Sequence, residues 1–190
     1  MKKFVLGLMI SAGLLGATTV VANADTTGSS TGDVIFTGGT LSMSVDATHL
    51  AFGSNTISSS DATLATSSTP TVTVSDLRGT SAGWTLTVAQ GQQFNTALNG
   101  TGSSLINAAL TVAGTESDSA VTNGSTTLTP GTTSAAGAAG TVASAKNGTG
   151  NGASTVTFSD SKLAVPGKTT KLATGYTTTL TWNLNDTPGN

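Results

Sequence analysis

The stretch YTTTLTWNL, residues 176–184, decides the fold class. Tyr176, Leu180, Trp182 and Leu184 fall on one parity, with Thr178 as the polar member of that set, while threonine and asparagine fill the other. A period of two puts successive side chains on opposite faces of an extended chain, so the stretch reads as a strand with one dry and one wet face. GWTLTV, residues 83–88, repeats the arrangement with Trp84, Leu86 and Val88 on one parity. In both stretches the tryptophan and leucine are two apart and share a sheet face.

The same alternation recurs outward from these two runs. Leu41, Met43 and Val45 form one set; Val72 and Val74, Ile106 through Val112 on even numbers, and Val156 with Phe158 form others. After residue 24 the chain holds 37 threonines and 22 serines. Threonine's branched β-carbon suits a half-exposed strand and disfavours helix. No segment sustains a helical period. Asn-Gly pairs at 99–100, 123–124, 147–148 and 151–152 predict tight hairpin turns, because this pair takes positive φ readily. The expectation is an all-β chain: one antiparallel β-sandwich, Ig-like or Greek-key, of roughly seven to ten strands.

Residues 1–24 read as an export signal. Lys2 and Lys3 precede the apolar run FVLGLMISAGLLGA, and Ala22-Asn23-Ala24 supplies small residues for cleavage before Asp25. Residues 25–190 then form a single domain, with a flexible start at 25–33. The small-residue-rich segment 131–152 is expected to be a mobile surface loop or a poorly specified edge strand.

Composition narrows the function. The chain has no cysteine, which removes a thiol nucleophile, a cysteine-ligated metal and lipidation at cysteine. After residue 24 five basic residues stand against nine acidic ones, a net charge of −4, so nucleic acid is not an expected partner. No cofactor is implied. An enzyme finds little support: His49 is the single histidine, and two groups as near as Asp46 and His49 do not make a metal site. Glu116 lies in a polar loop.

Three readings of the tryptophans stand at this stage: both are core anchors, both contribute to a binding surface, or one does each. Arg78 and Tyr176 are accessory candidates. Arg78 either pairs with Asp76 across the turn at Gly79 or grips a carboxylate of a ligand.

GWTLTV within TVTVSDLRGTSAGWTLTVAQGQQF (71–94), together with Tyr176, Leu180, Thr181, Trp182 and Leu184, resembles the WxL domain of surface proteins from low-GC Gram-positive bacteria. The likeness covers essentially everything after residue 24. It implies a secreted chain held non-covalently on the cell wall, with peptidoglycan as ligand and a membrane-anchored WxL-interacting protein as partner. The motif residues carried over are Trp84, Leu86, Trp182 and Leu184. The terminal NDTPGN holds no LPxTG-like sorting signal and no apolar anchor, in keeping with attachment by contact alone. The rival class is a structural subunit of a surface complex whose main contact is protein. The final strand is expected beside or opposite the Trp84 strand.

Overall fold

Threonine-valine alternation becomes pleated sheet because each apolar parity has somewhere dry to go. The computed structural model describes residues 27–46, 49–116 and 118–189; the expected export signal lies outside them. The chain divides into two units, Met1–Ile35 and Phe36–Asn190. Residues 27–35 of the first are exposed and without regular structure.

The second unit carries eleven strands among its described residues: β1 (Leu41–Val45), β2 (Ala62–Ala65), β3 (Thr71–Asp76), β4 (Trp84–Gln90), β5 (Ala109–Ala113), β6 (Val121–Asn123), β7 (Ser125–Leu128), β8 (Gly140–Ala145), β9 (Gly152–Thr157), β10 (Lys162–Val165) and β11 (Leu180–Asn185). They form three antiparallel sheets, ordered β1-β3-β9, β2-β10-β5-β7 and β11-β4-β8-β6. The chain is therefore all-β and antiparallel as expected, with one strand more than the expected range and its ladders divided among three sheets. The apolar parities of all three sheets meet in one core, which includes Val72 and Val74, Trp84 to Val88, Leu110, Val142, Val156, Phe158 and Leu163.

Among the described residues no ladder joins two of these strands that are neighbours in sequence. Asn99-Gly100 nevertheless lies in a loop whose flanks pair antiparallel, Asn95 opposite Ser104. Gly148 and Gly152 have positive φ in turns that carry the chain on to another sheet, and Asn123-Gly124 is the point where the chain leaves one sheet for another, between β6 and β7. Ile106 also departs from its expected face. It is 64% exposed, because Asn107 adopts a φ of 62° and β5 begins only at Ala109.

The largest correction concerns 131–152. Residues 140–145 of that segment form β8, an inner strand hydrogen-bonded to β4 on one side and β6 on the other. Trp84 lies opposite Ala145 and Leu86 opposite Ala143. Small residues there are the complement of the large ones across the ladder, not a sign of looseness. A register shift between Leu86 and Thr87 makes Val142 the extra residue of a bulge, so Val142, Ala143, Ser144 and Ala145 are all buried in sequence. That run breaks the alternation by which a strand is recognised.

Gly150 completes the accommodation of Trp84. Its φ is +76°, and a β-carbon there would stand 2.7 Å from the indole Nε1. Gly150→Ala is expected to lower stability by about 2–4 kcal/mol, from left-handed backbone strain plus overpacking. Urea denaturation followed by circular dichroism measures it; an unchanged midpoint contradicts this account of the segment.

Candidate functional site

The two tryptophans sit on neighbouring strands of one sheet. β11 pairs with β4 so that Leu184 faces Leu86, Trp182 faces Val88 and Leu180 faces Gln90. Residues directly opposite in an antiparallel ladder project to the same side, so both Trp-x-Leu pairs point to the common core face. Their environments differ because β4 is an inner strand and β11 an outer one.

Trp84 has 0% of its surface exposed, and its Nε1–H donates to the Gly150 carbonyl at 3.0 Å. Leu86 is equally enclosed. Every part of the Trp84 side chain is used by the fold, including the polar handle that a buried indole must satisfy. Leu184 is half-buried and packs on the core from β11.

Trp182 is half-buried. One part of its ring rests on the buried Phe158, with centroids 4.7 Å apart and planes at 47°. Among the described residues its indole N–H has no hydrogen-bond acceptor. The ring helps wall a groove of about 510 Å³ together with Tyr176, Leu180, Thr178, Val45 and Thr71. Phe158 lies at its base, and Asp46 and His49 also line it. Tyr176 is held in place there, its phenolic oxygen accepting from the Leu172 amide at 2.8 Å, while Thr178 Oγ1 donates to the Gln92 carbonyl at 2.6 Å. The groove thus combines one half-exposed indole, a second aromatic side chain, hydroxyls and an acidic group on a largely apolar floor. That mixture suits a ligand with an apolar face and a polar rim, such as a sugar ring.

Tyr176 belongs with Trp182, as its place in the last stretch suggested, although it precedes β11 rather than lying in it. Leu86 and Trp84 do not reach the groove, and Arg78 does not line it either. Phe158, Val45, Thr71 and His49 were not singled out as groove residues. They come from three separated stretches, 45–49, 71 and 158, and only Val45, on one parity with Leu41 and Met43, and Phe158, two places after Val156, carried a sequence signal.

Arg78 is engaged by the fold. Its Nε and Nη2 donate to Asp76 at 2.9 and 2.7 Å, and Nη2 also donates to the Gly83 carbonyl at 2.7 Å. This fork ties the 76–83 turn to the start of β4 and uses the edge that a ligand carboxylate would need. Hydrogen bonds from Arg78 hold the Asp76 carboxyl below the usual carboxylate range, against the opposing effect of its burial. A depressed folded-state pKa contributes stability above the unfolded value of about 3.9, and loses it as pH falls through the folded one. Denaturant midpoints measured down the pH scale should therefore fall more steeply below about pH 4 in the wild type than in Asp76→Asn. Parallel curves contradict the assignment.

No helix among the described residues is long and apolar enough to cross a membrane. The family model of the WxL domain, described as surface cell wall-binding, matches residues 17–188, nearly the whole chain. No curated protein and no solved structure matches it.

Proposed function

The chain belongs to the WxL family of surface cell wall-binding domains, which places it at the cell surface on the wall, and from that premise we propose that it grips peptidoglycan through the groove headed by Trp182. The proposed grip is non-covalent. One observation carries the reading: of two motif tryptophans on adjacent strands, the fold consumes the ring and N–H of one and leaves the other half-buried on the wall of the groove. An indole packs well on the C–H face of a pyranose, and partly exposed tryptophans are enriched among residues that dominate binding energy. Tyr176 and Thr71 line the same groove and supply hydroxyls for the sugar's polar rim.

The family resemblance adds a membrane-anchored WxL-interacting protein as a companion at the wall. Cosedimentation with purified peptidoglycan, with and without that protein, separates the two contacts. The chain alone is expected to sediment with the polymer and to be released by denaturant. Sedimentation only when the interacting protein is added would overturn the direct contact.

A further inference from the structure

A second groove, of about 870 Å³, opens beside the first across His49 and Tyr176. It begins where an ordered row of side chains runs out. Across the second sheet, Leu128 on β7 faces Leu110 on β5, Leu110 faces Leu163 on β10, and Leu163 faces Leu64 on β2. The first three are buried. Leu64, on the outer strand of that sheet, is only half-buried and lines the groove with Phe52, Ile57, Val165 and Leu172. The apolar face of the sheet thus continues past its last strand, as if one more strand belonged there. An outer strand with such a face is a template for strand addition.

One charge marks the wall of this groove. Lys171 is half-buried, and its ammonium donates to the backbone carbonyls of Ser58, Pro166, Gly167 and Thr169 at 3.1–3.2 Å. These four neutral acceptors engage all of its N–H groups but leave its charge uncancelled, so what it offers an occupant is electrostatic attraction. An occupant that is extended and apolar with an acidic head complements both features.

The chain itself carries such a segment. Asp33 is followed by Val34, Ile35 and Phe36, which are 74%, 91% and 88% exposed. Three consecutive large apolar side chains in water are not expected of a surface without a partner. As a strand they span about 10 Å and direct Val34 and Phe36 to one side.

We propose that residues 33–36 of one copy dock as an added strand in the second groove of another copy, Val34 and Phe36 extending the leucine row and Asp33 meeting Lys171. The donor segment and the groove are different surfaces, so the contact is head-to-tail and propagates instead of closing at a dimer. Its test needs no wall polymer and so stands or falls apart from the peptidoglycan reading.

Sedimentation velocity of the exported protein is expected to show growth beyond dimer as concentration rises. Val34→Asn/Phe36→Asn alters only exposed side chains; it should leave the circular dichroism spectrum native and weaken association more than tenfold. Leu172→Glu, at an exposed side chain of the groove wall, should keep a native spectrum and also be monomeric, and mixing it with Val34→Asn/Phe36→Asn should give a complex limited to one of each, since one supplies the segment and the other the groove. Because the chain has no cysteine, a protein carrying Phe36→Cys and Leu172→Cys reports the occupant: interchain disulfides are expected on oxidation. A wild type that stays monomeric throughout, association that survives the double asparagine variant, or an intrachain disulfide each overturns the proposal.

Discussion

Trp84→Ala is expected to leave little folded protein at room temperature. Truncating a fully buried tryptophan costs about 3–5 kcal/mol in lost burial and residual cavity. The cavity cannot collapse readily, because its walls are the backbone of β8 and Gly150, whose conformations are fixed by sheet bonds and a left-handed turn. The substitution also removes the donor to the buried Gly150 carbonyl, and an orphaned polar group adds about 1–3 kcal/mol. Against a total stability of about 5–15 kcal/mol for a domain, the loss is decisive. Urea denaturation and thermal melting measure it. A Trp84→Ala protein that melts within a few degrees of the wild type contradicts the role given to this residue.

Trp182→Ala is expected to do the opposite: keep the fold and lose the wall. The ring lies on an outer strand and is half in water, so its removal costs the fold on the order of 1–2 kcal/mol, within what a domain of this size tolerates. At an interface, a central tryptophan is worth about 2 kcal/mol or more, which is roughly thirtyfold in affinity. Binding isotherms on purified peptidoglycan should therefore weaken by at least that factor, while the circular dichroism spectrum stays native. Tyr176→Ala should weaken binding less, since that side chain presents a smaller surface. Arg78→Ala, by contrast, should lower stability and leave the affinity of the folded fraction unchanged, because the guanidinium fork is already occupied by Asp76.

The contrast between the two tryptophans shows what the sequence discloses. Both stand in alternating strands, and on the inner strands the parity is preserved: Val72 and Val74, Trp84 to Val88 and Leu110 with Val112 all face the core, while Met43 and Val45 on the outer strand β1 stay exposed. Period-two patterning is a local property, set by the geometry of one strand. Whether a strand is inner or outer is not local, because it depends on ladders between segments far apart in the chain. Only that placement separates Trp84 from Trp182.

The reading of 131–152 failed for a related reason. Ala143, Ala145 and Gly150 carry little apolar surface of their own, so they resemble linker composition. Their smallness has meaning only beside Trp84 and Leu86, about 60 residues earlier. The Asn-Gly pairs misled in another way. Their backbone preference for positive φ holds at Gly100, Gly148 and Gly152, but only the turn at Gly100 has flanks that pair with each other, because a turn does not specify that the segments on either side of it must do so. Groove residues such as His49, Thr71 and Phe158 converge from separate loops and strands, and nothing in any one segment announces the convergence.

Fluorine NMR of the protein grown with fluorinated tryptophan tests the division of labour between the two indoles most directly. It gives two resonances, assigned with Trp182→Phe, and leaves both side chains in place. On titration with soluble peptidoglycan fragments, the Trp182 resonance should move saturably while that of Trp84 stays fixed. Movement of the Trp84 resonance alone, or of neither under conditions where the fragments bind, would contradict the account.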